Sequence, residues 1–213
     1  RHHRDLLRAG AALDDAGRAR LTAIDTRLAE LTTEFGENLL ASTTELAVPV
    51  TDEAELAGLP ESMRATLAAT AADAGRDGWL IPLGLPTVQP ITAWLDDAGL
   101  RRRVSEASLG RGATPGHDNT PIVLEIVRLR AERARLLGLG SHAEHVLAVE
   151  TAGTPEAARG LLLDVVDAAV TNARNEAKDL LGGEERELHP ADWAWESERC
   201  LLYTSDAADD TPC

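Results

Sequence analysis

Leu21, Ile24, Leu28, Leu31, Phe35 and Leu39 recur at steps of three and four residues. That spacing places them in one row on a single long helix. An apolar row of this length has to be covered by other elements, and here the cover must be aliphatic. Hydrophobic residues make up 44% of the 213-residue chain but aromatic residues only 3%, so the core must be built from Leu, Val, Ile and Ala. A chain rich in Ala and Leu favours helices over sheets. The expected class is all-α, one large domain or part of a larger one. Asp14 or Asp15, just before the row, is the natural N-cap of its first helix.

The same grammar continues along the chain. "ELAVPV" and "GWLIPLG" are short extended runs, each with a proline, Pro49 and Pro82. They predict a small two-stranded ribbon from residues 46–50 and 79–83. "TDEAELAGLPES" reads as a short helix, a turn and the start of a helix from Pro60 to Ala74 that stops at Gly75. More helix is expected from Pro86 to Arg111, broken near Gly99, followed by a Gly-rich loop, "GRGATPGHDN". Thr120–Pro121 and Thr154–Pro155 are each a cap residue followed by proline at the first helical position. The helices they open run to Gly138 and to Gly182–Gly183, and a last helix begins at Pro190. In total seven or eight helices are expected, with no internal repeat and no linker long enough to divide them.

Charge and composition exclude several functions. A net charge of −15 argues against nucleic acid and anionic membrane as partners. No apolar run approaches the roughly 18–20 residues of a membrane span. "RHHRDLLRAG" has no apolar core and no initiator Met, so it reads as the middle of a longer protein rather than a signal peptide. Cysteine is absent before residue 200, which fits a reducing, cytoplasmic compartment.

Residues that could carry chemistry have structural explanations close at hand. His142 and His145 stand three apart and flank Glu144. A catalytic zinc helix needs two His four apart, with Glu beside the first. Ser141 and Glu144 instead form a capping box, with the histidines solvated beside it. His2 and His3 are expected to be disordered, His117 lies in the Gly-rich loop beside Asp118, and His189 caps the last helix. Neither a G-x-S-x-G nucleophile elbow nor a phosphate loop is present. Asp14/Asp15 and Glu184/Glu185 suit helix ends. Arg101–Arg103 reads as a solvated face, with contact to an anionic group such as a peptide carboxylate as the alternative. The residues thus nominate no catalytic, cofactor-binding or metal-binding position.

Several stretches resemble the thimet-oligopeptidase family of zinc peptidases, in particular its bacterial peptidyl-dipeptidase branch and the related oligopeptidases. They are "RLTAIDTRLAELTTEFGENLLAST" (20–43), "VTDEAELAGLPES" (50–62), "DNTPIVLEIVRLRAERARLLG" (118–138), "AVETAGTPEAA" (148–158) and "HPADWAWESER" (189–199). The third, DN-x-P-I leading into RLRAERARLLG, is the most specific. The last resembles a P-x-D-W-A segment, from which Ala191, Trp195 and Glu196 depart. The resemblance implies a large helical enzyme with a deep channel that cleaves short peptides, releasing dipeptides from the free C-terminus. It implies one zinc ion held by HExxH and a later Glu, all downstream of the residues seen here. On that reading the chain is an N-terminal, channel-wall portion, monomeric, with short peptides as the intact enzyme's partners and no zinc of its own. The alternative is a non-catalytic helical interaction module.

Both cysteines and the only tyrosine lie in Cys200–Cys213. "CLLYTSDAADD" resembles a translated sequencing-adapter end. The expected organisation is therefore a helical region, 1–199, and a non-native tail, 200–213.

Overall fold

The computed structural model describes residues 2–182 and 184–206. It is mainly all-α. Among the described residues there are nine α-helices: α1 (His2–Arg8), α2 (Asp15–Glu45), α3 (Glu61–Asp73), α4 (Leu85–Trp94), α5 (Ala98–Leu109), α6 (Thr120–Leu136), α7 (His142–Leu147), α8 (Pro155–Leu180) and α9 (Trp193–Asp206). Four short strands accompany them: β1 (Val48–Val50), β2 (Trp79–Ile81), β3 (Ala113–Thr114) and β4 (His117–Asp118). The chain divides into two compact units, residues 1–39 with 115–169, and residues 40–114 with the chain from 170 on.

In the first unit, Asp14 supplies the expected cap, accepting from the Gly17 amide at 2.8 Å. Leu21, Ile24 and Leu31 of the predicted row are buried, and Leu28, Phe35 and Leu39 are half-buried. Ile122 and Ala134 of α6 belong to the same unit and are also buried. Ion pairs run between the two helices: Arg20 with Glu132 at 2.6 Å, Arg27 with Glu125 at 2.7 Å and Asp25 with Arg133 at 3.0 Å. The partner of Arg27 lies seven residues before that of Arg20, so α2 and α6 run antiparallel. The DN-x-P-I stretch has a mechanical role. Asp118 accepts from the Thr120 amide at 2.9 Å. The buried Asn119 amide donates to the Phe35 carbonyl at 3.2 Å and accepts from Asn38 at 3.1 Å. Pro121 lies in the first turn and Ile122 enters the core.

The second unit carries the larger apolar cluster, built from Val48, Val50, Leu56, Leu67, Ile81, Leu83, Ile91, Leu95, Leu100 and Val104 among others. The predicted ribbon is there: β1 and β2 are antiparallel, with Val48 opposite Ile81, Pro49 opposite Leu80 and Val50 opposite Trp79. Pro49 points outward between two buried valines, a position a two-stranded ribbon tolerates. A 3₁₀ turn, Glu53–Leu56, stands where the short helix was expected, capped by Asp52.

Four expectations need correction. His2 and His3 lie in α1 and are not disordered. The break after α4 falls at Leu95–Asp97, where Asp97 caps α5 through the Leu100 amide at 2.6 Å. Gly99 therefore sits inside α5. The Gly-rich loop contains β3 and β4. Helix α1 brings the α-helix count among the described residues to nine, above the seven or eight expected.

Helix α8 has its predicted start, with the Thr154 hydroxyl accepting from the Ala157 amide at 3.2 Å, but it has no buried residue. Leu161, Leu162, Leu163, Val165, Val166 and Val170 are all exposed, Leu161 by 67%.

Gly58 provides a test of the second unit's packing. Its φ is +88°, and a Cβ there would lie 2.1 Å from the Trp94 carbonyl oxygen. Gly75 has φ +67° with nothing within 4 Å. Gly58→Ala should lower stability by more than about 1 kcal/mol and clearly more than Gly75→Ala, as read by urea denaturation. Equal costs would show that the close approach at Gly58 is unimportant.

Candidate functional site

The most concentrated polar chemistry of the second unit surrounds Arg101. This residue was expected on a solvated face, but its side chain is buried, with only 2% exposure. The reason is Asp192, itself 3% exposed, in the 3₁₀ turn Pro190–Asp192 before α9. Arg101 Nε donates to Asp192 Oδ1 at 2.9 Å, and Nη2 lies 2.7 Å from the same oxygen. Nη1 donates to the carbonyls of Leu95 at 2.6 Å and Asp96 at 3.0 Å. The guanidinium thus finds partners for all three nitrogens. It also lies 4.4 Å from the centroid of the Trp195 ring, as does Arg199. Trp195 Nε1 donates to Asp96 at 3.2 Å.

Arg102 reaches Asp192 Oδ2 at 3.3 Å, and Arg103 pairs with Glu55 at 2.6 Å and donates to the Pro49 carbonyl at 2.9 Å. The anionic group beside Arg101 and Arg102 is therefore the chain's own carboxylate. Burial pushes the Asp192 carboxyl up. Hydrogen bonds and charge from Arg101, then Arg102, outweigh burial and hold it below its ordinary 3.8. Glu196, one turn on, is also buried and pairs with Arg186 and, at 3.7 Å, with Arg199. Sequence reading missed Asp192. Its signal was present in the P-x-D-W-A stretch, an acid inside an otherwise apolar turn.

His189 was expected to cap the last helix; its Nδ1 accepts from the Ala191 amide at 3.1 Å and so caps the 3₁₀ turn, while α9 begins at Trp193. His117 lies on β4. Glu184 pairs with Arg186 at 2.7 Å, and Asp15 pairs with Arg18. The Ser141 hydroxyl accepts from the Glu144 amide at 3.1 Å, while the Glu144 carboxylate accepts from Gly140, one residue before the cap.

The His142 and His145 rings stack with centroids 6.2 Å apart and are half-buried, not solvated. Their surroundings do not suit zinc. Burial first, and then Arg130 and Arg133 at His142 or Arg8 and Arg133 at His145, push both imidazoles below their ordinary 6.5. A site held among arginines repels a dication. Among the described residues no three His, Cys, Asp or Glu side chains come together as a metal site.

Two hollows of the second unit are shallow. One of about 300 Å³ is lined by Ser62, Met63, Thr66, Leu67, Thr70, Pro82, Pro86 and Thr87. The other, about 210 Å³, lies among Glu176, Asp179, Leu180, Trp193 and Ser197. In the second, the Ser197 hydroxyl is engaged by the Trp193 carbonyl, to which it donates at 2.9 Å. The cluster around Arg101 is a positioning device that fixes the 190–192 turn against α5.

Removing Asp192 should expose that role. Asp192→Ala leaves a buried guanidinium uncompensated and should cost about 3–5 kcal/mol. Arg102→Ala, at a half-exposed partner, should cost no more than about 1 kcal/mol. Because the folded carboxyl is depressed, its contribution is present above pH 3.8 and is lost as pH falls below that. Urea denaturation at neutral pH and at pH 3 reads both effects. A wild-type-like Asp192→Ala would refute the assignment.

The Peptidase family M3 profile matches residues 93–210. Over 97% of this chain the sequence is 34% identical to the "Oligopeptidase A" of Salmonella typhimurium, of which the match covers 32%. It is 33% identical to the "Dipeptidyl carboxypeptidase" of Escherichia coli over 92% of this chain and 30% of that protein. Against the "Probable cytosolic oligopeptidase A" of Arabidopsis thaliana the identity is 34% over 80% of this chain and 25% of the relative. The chain spans about a third of the length of the first two relatives. No helix among the described residues is long and apolar enough to cross a membrane. The buried Arg101 and Asp192 both fall within the matched stretch, and the chain belongs to peptidase family M3.

Proposed function

We propose that this chain is the N-terminal helical part of a zinc-dependent metallopeptidase that hydrolyses short peptides, releasing dipeptides from their C-termini. The observation that carries the reading is the match along nearly the whole chain to peptidases about three times its length. In this reading residues 1–199 supply channel-wall helices. The zinc ligands and the catalytic glutamate belong to polypeptide beyond this chain, since HExxH does not occur in its sequence. The chain alone is inactive, and the intact enzyme works as a cytoplasmic monomer on free peptides, not on nucleic acid.

The unburied length of α8 supports this reading. A helix with three consecutive exposed leucines and three exposed valines presents more apolar surface than a finished exterior needs. In the longer enzyme that surface is covered. Residues 200–213 are, in the same reading, a non-native tail. That boundary rests on the tail's composition and on its resemblance to a translated adapter end, while α9 continues past it to Asp206 and the family match to residue 210.

The alternative, a helical interaction module without catalysis, predicts a different gene. Reading the coding DNA past codon 199 decides between them. An open frame continuing into HExxH supports the peptidase portion, and a native stop without it supports the module. The purified chain supplied with zinc should release no dipeptide from a blocked tetrapeptide. It should also enhance the fluorescence of a hydrophobic dye before any heating. Dipeptide release, or no dye binding together with a sharp cooperative melt, would count against an incomplete part.

A further inference from the structure

The first unit contains a concentration of unmet polarity. Among the described residues, three buried side-chain polar atoms lack a hydrogen-bond partner: Arg133 Nε, His142 Nδ1 and His145 Nδ1. His142 and His145 stack on each other, and Arg133 lies close enough to depress both rings electrostatically. Each such atom is costly to bury relative to a partnered one. Helix α7 therefore docks at a disadvantage.

The charged groups around the pair come from every neighbouring element. From α1, Arg8 donates to the His145 carbonyl. From α6 come Arg130 and Arg133. From α2 comes Asp25, which is engaged by Arg133 at 3.0 Å. On α7 itself, Glu144 is tied to the Gly140 amide at 3.0 Å. Three cations thus face the rings. The nearest carboxylates already have partners. The helix has few other anchors: it is six residues long, has no buried residue, and is bracketed by Gly138 and Gly153, both at positive φ.

We infer that α7 is an acid-released element: proton uptake by the stacked His142–His145 pair undocks it from α6 while the rest of the unit stays folded. Each proton taken from water adds a charge beside Arg8, Arg130 and Arg133 without gaining an acceptor. The sign follows from the neutral form being the one the folded unit favours. Docking is complete above the ordinary imidazole value of 6.5 and is lost progressively as pH falls below it. The glycines at either end give the segment freedom to swing without unwinding α6 or α8.

Hydrogen exchange on the full 213-residue chain tests this. After correction for intrinsic rates, amides of residues 142–149 should exchange roughly tenfold faster at pH 5 than at pH 7.5, while those of α2 in the same unit stay unchanged. In the His142→Gln/His145→Gln double variant the α7 rates should be flat across that range. NMR of the wild-type rings gives a second reading, with both imidazoles titrating below 6.5. Unchanged α7 protection at pH 5, the same loss in the double variant, or ring titration at or above 6.5 would overturn the inference. So would zinc quenching of the ring titration at stoichiometric metal, which would make the pair a ligand set.

Discussion

The second unit depends on one buried ion pair. Arg101 and Asp192 are separated by 91 residues, and both have left water almost completely. Two charges removed from solvent cost several kcal/mol each, and attraction offsets that only where the geometry is complete. Here it is: every guanidinium nitrogen has a partner, from Asp192 or from the carbonyls that end α4. The carbonyls of Leu95 and Asp96 follow the last turn of α4 and need donors. Arg101 supplies them, so one side chain finishes α4, anchors α5 and holds the turn that opens α9. The indole of Trp195 beside it ties α9 to Asp96.

Much of this architecture was legible from local patterns. The three-and-four spacing from Leu21 to Leu39 found α2 and its buried side. The two proline-bearing apolar runs found the ribbon, and Thr154–Pro155 and Ser141 found the starts of α8 and α7. These signals are local because caps, turns and stripes depend on residues within one or two turns of each other. Arg101 was misread for the opposite reason. Three consecutive arginines on a helix look solvated, and only tertiary contact brings Asp192 beneath the first of them. The break at Leu95–Asp97 was placed late because Gly99 is a stronger local signal than Asp97. Tertiary context used the aspartate as a cap and absorbed the glycine into the helix.

The family resemblance and the structure meet at the same residues. DN-x-P-I proves to be a device for joining α6 to α2 through Asn119, and P-x-D-W-A a device for placing a buried acid under α5. Both build scaffold within a chain of peptidase family M3. The exposed row on α8 and the strained docking of α7 belong to the same description. On the readings proposed above, one presents surface for cover and the other gives the first unit an element that can move.

A double-mutant cycle on Arg101→Met and Asp192→Leu, read by urea denaturation, tests the dependence on the buried pair most directly. The account predicts that each single change is severe and that the double variant is closer to wild type than either one. The coupling should be about 2 kcal/mol or more, well beyond the additivity expected of independent sites. Single effects that are small and sum to the double within about 0.5 kcal/mol would contradict it, and the second unit would then be held by its apolar cluster alone.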